Sequence, residues 1–190
     1  MKTLERGFKA WAERTSLALR RELDLTVDDA LCPFKLAEYL EIEIWTPDKV
    51  PGITSDILSL LKEDLWGWSA TSFQANGKCF VIYNPDHSSG RRASDVMHEI
   101  SHNILGHQPA TVIISLELEG LAMRSFDQKQ EDEANCLAWS LLLPRDGLLR
   151  AKSRKLTIEQ IANQFSVTQK LVTYRIQTTG IERQIKATHR

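Results

Sequence analysis

Hydrophobic residues recur three or four positions apart near the start of the chain, and charged residues fill the positions between them. The recurring hydrophobic positions are Leu4, Phe8, Trp11, Ala12 and Leu19. A repeat near about 3.6 residues is typical of an amphipathic helix with one apolar face. The pattern therefore predicts a first helix over residues 3–23 that packs against the rest of the protein.

The pattern changes after this segment. Pro33–Leu40 is predicted to be a short helix, because proline is favoured at the first position of a helix. Residues 42–45 alternate between apolar and polar side chains, which indicates a strand. Thr54 or Ser55 can cap a further helix that extends to Lys62.

Two strand-like runs follow, over residues 68–73 and 79–84. They are joined through Asn76-Gly77, a dipeptide that tolerates the positive φ angles of a tight hairpin turn. The pattern predicts a β-hairpin.

The second half of the chain is mostly helical in pattern. Ser94 can cap a helix to Leu105, which Gly106 would end, and residues 131–143 form a strong helical pattern before Pro144. Residues 111–119 suit either a strand or a loop and helix. Two more helices fit beyond Pro144, so we expect an α+β fold with a short hairpin.

Charge divides the chain at Pro144. The 190 residues have a net charge of −1, but residues 1–144 carry 14 Lys/Arg against 22 Asp/Glu and residues 145–190 carry 10 against 3. An acidic body over residues 1–144 and a basic C-terminal region over residues 145–190 are the two predicted domains. A basic segment of this kind suggests an anionic partner.

The cysteines and the hydropathy of the chain indicate the cellular compartment of the protein. Cys32, Cys79 and Cys136 are odd in number and widely spaced, which argues against a disulfide framework. No stretch approaches ~20 apolar residues, and the N-terminus lacks the apolar core of a signal peptide. We expect a cytoplasmic protein with no membrane partner.

The sequence His98-Glu99-Ile100-Ser101-His102 lies within one of the predicted helices. Residues i and i+4 share a helix face, so His98 and His102 can reach the same divalent ion. Zn²⁺ accepts imidazole nitrogens and, in catalytic sites, keeps one position open for water. Glu99, on a neighbouring face, is the candidate general base. The alternative is a solvated polar helix face.

A third ligand must come from elsewhere, and the acidic residues that open the helix over residues 131–143 are the candidates. Glu133 is preferred because it can point into the core, with Glu131 and Asp132 as alternatives. Acidic residues are favoured at a helix N-terminus in any case, which is the competing explanation.

Further candidates surround this motif. His107 is a candidate ligand or oxyanion stabiliser, and Tyr83, at the end of the second hairpin strand, is a candidate electrophile. His87, Arg91 and Arg92 could contact a substrate carbonyl or form a solvated loop, and the loop is the preferred interpretation.

These residues together resemble the ImmA/IrrE family of metallopeptidases. The stretches that carry the resemblance are residues 95–107, Glu133-Ala134-Asn135, Leu137-Ala138 and residues 141–144, with residues 68–70 and 84–85 upstream. The resemblance implies a small thermolysin-like (gluzincin-type) core in which His98, His102 and Glu133 bind one Zn²⁺ and Glu99 activates water. It also implies cleavage of an Xre-type helix-turn-helix repressor in a bacterial or prophage stress response.

The basic C-terminal region has its own pattern. Thr157 and Gln160 fit a capping box, and Thr168 can cap a second helix, so the pair reads as a helix-turn-helix. Its candidate nucleic-acid contacts are Lys170, Thr173 and Arg175. The alternative is that the two helices pack on the body.

Three functions are therefore compatible with the sequence. The leading hypothesis is a zinc endopeptidase acting on a transcriptional repressor. The others are a non-proteolytic regulator that binds DNA through the C-terminal region, and a toxin paired with an Xre-type antitoxin.

Overall fold

The computed structural model describes residues 4–63, 67–107 and 127–188. Its helices, in chain order, are α1 (Phe8–Glu22), α2 (Pro33–Tyr39), α3 (Ser55–Glu63), α4 (Ser89–Ile104), α5 (Gln128–Leu142), α6 (Arg145–Ser153), α7 (Ile158–Phe165), α8 (Gln169–Thr179) and α9 (Ile181–Thr188). Its strands are β1 (Glu43–Trp45), β2 (Ala70–Ala75) and β3 (Lys78–Tyr83). The α+β class is confirmed, and residues 111–119 lie outside the described part of the chain.

The strands form one sheet in the order β1-β3-β2, in which β1 runs parallel and β2 antiparallel to β3. Asn76 and Gly77 both have positive φ, so the predicted hairpin turn is confirmed. Val81 at the sheet centre is fully buried, with Ile44 and Ser72 opposite it on the flanking strands. Since side chains alternate between faces, Ser72 and Val81 share the face that contacts α4.

Helices α4 and α5 form the centre of the core together with α1. Val96, Met97 and Ile100 of α4 are fully buried, as are Leu137 and Leu141 of α5. Two buried hydrogen bonds join α1 to α5: Ser16 Oγ donates to the Ser140 carbonyl at 2.7 Å, and Arg20 Nη2 donates to the Leu141 carbonyl at 2.9 Å. Burial lowers the pKa of Arg20 to about 10, which leaves it charged at neutral pH.

Helix α4 begins earlier than the sequence pattern predicts. Its N-cap is Ser88 rather than Ser94, and the Ser88 side chain makes no capping hydrogen bond. The added residues at this end fit because Gly90 has no side chain: a Cβ at Gly90 would lie 3.3 Å from the backbone of Val167 and Thr168. Packing against the loop before α8 therefore sets this end of the helix.

Helix α5 also begins before its predicted start. Asp127 is its N-cap, and the Asp127 carboxylate accepts hydrogen bonds from the backbone of Lys129 and Gln130. A capping carboxylate satisfies N–H groups that have no partner within the helix.

The C-terminal region holds four helices within the described residues, rather than the predicted two. The capping box at Thr157 and the cap at Thr168 are both present, which confirms the predicted α7 and α8. Helix α6 starts immediately after Pro144, and α9 follows Gly180, whose φ of 69° turns the chain sharply.

The two regions predicted to meet at Pro144 contribute to one hydrophobic core. Leu148, Ile161 and Val172 from the C-terminal side belong to the same cluster of buried residues as Val96 and Leu137. Pro144 therefore separates two helices without interrupting the packing. Among the described residues, no helix is long and apolar enough to cross a membrane.

Candidate metal centre

The two histidines of α4 face each other across one helical turn. His98 Nε2 and His102 Nε2 lie 3.0 Å apart, and their side chains are 20% and 14% exposed. The helix supplies this geometry directly, because residues four apart project from the same face. The opposite face of α4 is buried through Val96, Met97 and Ile100, which keeps the two rings in place.

Helix α5 brings a carboxylate to the same point. Glu131 Oε2 lies 3.2 Å from His98 Nε2, and Glu131 Oε1 lies 3.6 Å from His102 Nε2. Glu131 shares a helix face with Ala134 and Ala138, which are both buried and small enough for a neighbouring helix to approach closely. His98, His102 and Glu131 each offer a ligand atom, and these atoms all lie within 4.8 Å of one another.

The structure differs from the sequence prediction at this third position. Glu133, the preferred candidate, binds His107 instead: its Oε2 lies 3.2 Å from His107 Nε2. Asp132, the other alternative, is buried and accepts a hydrogen bond from Gln128. The three carboxylates follow one another in the chain, and the packing of α5 against α4 decides which of them reaches His98 and His102.

Glu99 is the carboxylate next to His98 on α4. It is 2% exposed, and Ser72 Oγ donates a hydrogen bond of 2.6 Å to Glu99 Oε2. This bond ties the helix to β2 and holds one carboxylate oxygen at a defined place. Sequence reasoning missed Ser72, because a serine within a strand carries no local signal of a partner on a distant helix.

His107 lies behind His102. The Nδ1 atoms of the two rings are 2.9 Å apart, and the His107 side chain is 8% exposed. Its contact is with Nδ1 of His102, whereas the other ring nitrogen of His102, Nε2, faces His98. With one ring nitrogen at His102 and the other at Glu133, His107 is not brought to the position of a ligand or of an oxyanion stabiliser.

The remaining candidates near the motif make contacts with other side chains and carbonyls of the chain. The ring of Tyr83 packs edge-on against Phe34 with centroids 5.5 Å apart. His87 is buried, and its Nδ1 lies 2.8 Å from Asp95 Oδ2, so it is not part of a solvated loop. Arg91 donates to Ser69 Oγ at 3.3 Å and Arg92 donates to the Pro85 carbonyl at 3.3 Å.

The candidate nucleic-acid contacts on α8 differ in exposure. Lys170 is exposed and Thr173 is half-buried. Arg175, the third candidate contact, is buried at 6% exposure, where it donates to Glu13 Oε1 and to the Leu143 carbonyl. The prediction for Arg175 is wrong, because α8 packs the face that bears it against α1 and the end of α5.

The donor set suits a zinc ion. Two ligands about 2.1 Å from a tetrahedral ion are separated by about 3.4 Å, close to the 3.0, 3.2 and 3.6 Å between the His98, His102 and Glu131 donor atoms. Two imidazoles and one carboxylate are a ligand combination of catalytic zinc sites, which use three protein ligands. The residues present therefore fit the metal.

One comparison with known proteins gives a family match. Residues 55–177 match the peptidase family described as IrrE N-terminal-like domain (peptidase M78). No curated protein and no solved structure is detectably similar to the chain. The matched range contains α3 to α5, the sheet strands β2 and β3, and most of the C-terminal helices. The chain thus belongs to the IrrE N-terminal-like family of metallopeptidases.

Proposed function

We propose that the protein is a zinc-dependent endopeptidase in which His98, His102 and Glu131 hold one Zn²⁺. The observation that carries this proposal is the convergence of the three donor atoms from two helices, with Glu99 on the adjacent helix face. When bound, zinc would act as a Lewis acid toward the scissile carbonyl and the attacking water.

Glu99 is the general base of the proposed reaction. Its carboxylate takes a proton from the attacking water and later donates a proton to the nitrogen of the departing amine. The hydrogen bond from Ser72 Oγ to Oε2 restricts the rotation of the carboxylate, which favours one orientation toward the substrate. Ser72 is therefore a positioning residue for Glu99.

The hairpin supplies a place for an extended substrate. Within the described residues, β2 pairs only with β3, so no described strand covers its outer edge, and we propose this edge as the place where a peptide backbone binds. A peptide can add to such an edge as a further strand through main-chain hydrogen bonds. Because Ser72 lies on β2 and binds Glu99, this edge runs beside the proposed general base.

We propose an Xre-type helix-turn-helix repressor, or an antitoxin of that class, as the substrate, in a cytoplasmic stress-response circuit. The resemblance to ImmA/IrrE peptidases supports this assignment. The charge of the chain also supports this assignment. Residues 1–144 carry an excess of Asp/Glu, and the basic surface of a DNA-binding protein complements this acidic region. Complementary charge favours encounter between the two proteins.

The test combines the metal and the reaction. Purified protein should contain about one zinc per chain, and it should cleave the repressor encoded beside its gene only in the absence of a chelator. Glu99→Gln should retain zinc and lose cleavage, whereas Glu131→Ala should lose zinc as well, because it removes a ligand. Zinc is measured by atomic emission and cleavage by mass spectrometry.

The matched control is Glu22→Gln, which changes an exposed glutamate of α1 and should leave both readouts unchanged. Cleavage by the Glu99→Gln variant would contradict the role of Glu99. Full zinc retention by Glu131→Ala would contradict the ligand set.

A further inference from the structure

Three side chains form a line that leads away from the candidate metal centre. His102 Nδ1 lies 2.9 Å from His107 Nδ1, and His107 Nε2 lies 3.2 Å from Glu133 Oε2. The side chains are 14%, 8% and 14% exposed in that order, so water has limited access to the contacts. Nothing in the proposed reaction uses His107 or Glu133.

The end of α4 builds this arrangement. Gly106 has a φ of 65°, its N–H donates to the Asn103 carbonyl, and the N–H of His107 donates to the His102 carbonyl at 3.0 Å. This pair of bonds is a Schellman motif, which brings the residue after the glycine back against the residue five positions earlier. An apolar contact commonly closes the motif, but here two imidazoles meet.

Only one arrangement of protons on His102, His107 and Glu133 leaves His102 able to bind a metal through Nε2. An ionised carboxylate only accepts hydrogen bonds, so His107 must carry its proton on Nε2 to donate to Glu133. The Nδ1 atom of neutral His107 then accepts, and His102 must donate to it from Nδ1. His102 Nε2 consequently keeps its lone pair, on the side of His98 and Glu131.

We infer that His107 and Glu133 are positioning residues that set the tautomer and the ring orientation of His102. The inference rests on the proposed function, since it concerns His102 as a metal ligand. Hydrogen-bond partners of this kind orient ligating histidines and raise their basicity. Lys129 Nζ lies 3.9 Å from Glu133 Oε1, so a cationic side chain stands beside the far oxygen of this carboxylate.

The first experiment determines the tautomers directly. In zinc-loaded protein labelled with ¹⁵N-histidine, two-bond ¹H–¹⁵N correlation spectra distinguish protonated from unprotonated ring nitrogens. We expect His107 to carry its proton on Nε2 alone and His102 to carry its proton on Nδ1. A proton on His107 Nδ1, whether or not Nε2 is also protonated, would overturn the inference, because His107 could then not accept from His102.

The second experiment measures zinc affinity by competition with a chelating indicator. His107→Leu and Glu133→Ala should each weaken zinc binding by about 10- to 100-fold. His107→Asn should recover most of the loss, because its amide oxygen can accept from His102 where the Nδ1 atom stood. Asp132→Asn, the matched control, removes a carboxylate beside Glu133 and should change the affinity by less than about twofold.

The outcomes separate this inference from the proposed function. A wild-type protein that takes up no zinc would contradict the metal site itself. Normal zinc uptake by the wild type with equal affinity in His107→Leu would contradict only the positioning role. An equal loss of affinity in Asp132→Asn and Glu133→Ala would also contradict it, because the effect would then follow from charge alone. Circular dichroism of each variant checks that it is folded.

Discussion

Ser72, a side chain of the sheet, holds the proposed general base Glu99 of α4 in place. It stands opposite Val81 on the face of the sheet that contacts α4, and its hydroxyl reaches Glu99 Oε2 at 2.6 Å. A hydrogen bond to an ionised group contributes more than one between neutral groups. The bond is short and Glu99 is buried, so loss of this hydrogen bond should lower the rate of the reaction.

Ser72→Ala should therefore lower kcat for cleavage of the repressor by about tenfold, which corresponds to about 1.4 kcal/mol. KM should change little, since Ser72 acts through Glu99. Thr71→Ala changes the neighbouring residue on the other face of the sheet and serves as the control. Steady-state kinetics measure both variants. A rise in KM with an unchanged kcat would show that Ser72 contributes to substrate binding instead.

At the scale of elements, the C-terminal end of α4 links the backbone to the metal centre. The positive φ of Gly106 permits the turn that returns His107 to His102, and a side chain is disfavoured in that conformation. A Cβ at Gly106 would meet nothing within 4 Å, so only the backbone conformation opposes a substitution.

Gly106→Ala should cost about 1 kcal/mol of stability and also weaken zinc binding, because the strained turn displaces His107. Gly180→Ala is the matched control: Gly180 ends α8 with a φ of 69°, and a Cβ there also meets nothing within 4 Å. The control should show a similar loss of stability with unchanged zinc affinity. Thermal unfolding and zinc competition measure the two effects. Equal zinc affinity in both variants would contradict the link between the turn and the metal.

The α7–α8 pair illustrates that a sequence pattern can predict two helices and their caps without determining which of their faces are exposed. Both helices and both caps are as expected. However, the start of α8 lies against α4 at Gly90, and helix-turn-helix proteins read bases with that end of the second helix. The structure thus favours the alternative in which the pair packs on the body.

At the scale of the whole molecule, the opposite charges of the two regions meet in ion pairs. Arg175 binds Glu13 of α1, while Arg150 and Arg154 bind Asp28 at 3.3 and 2.7 Å. Part of the basic character of the C-terminal region is therefore compensated within the chain. Exposed pairs of this kind contribute little individually, but the buried Arg175 pair is different.

Arg175→Ala should lower the free energy of unfolding by about 3 kcal/mol, because it removes a buried guanidinium and leaves the half-buried Glu13 carboxylate and the Leu143 carbonyl without this donor. Arg183→Ala, the control, removes an exposed arginine of α9 and should change the free energy of unfolding by less than about 0.5 kcal/mol. Urea denaturation followed by circular dichroism measures both. Equal midpoints for the two variants would show that the Arg175 contacts do not hold the regions together.

Features that depend on residues close in the chain were predictable from the sequence. The spacing of His98 and His102 places them on one face of any helix, and the hairpin turn and the caps at Thr157 and Thr168 follow from local hydrogen bonding. Family membership followed from the same local patterns.

Features that depend on how the elements pack were decided only by the tertiary structure. Glu131 rather than Glu133 reaches His98 and His102 because the contact between α4 and α5 selects one face of α5. The same holds for Ser72 beside Glu99 and for the burial of Arg175. Sequence spacing determines which residues share a face of one element, but the face that meets a partner is set by long-range packing, in which the burial of many apolar side chains outweighs any single polar contact.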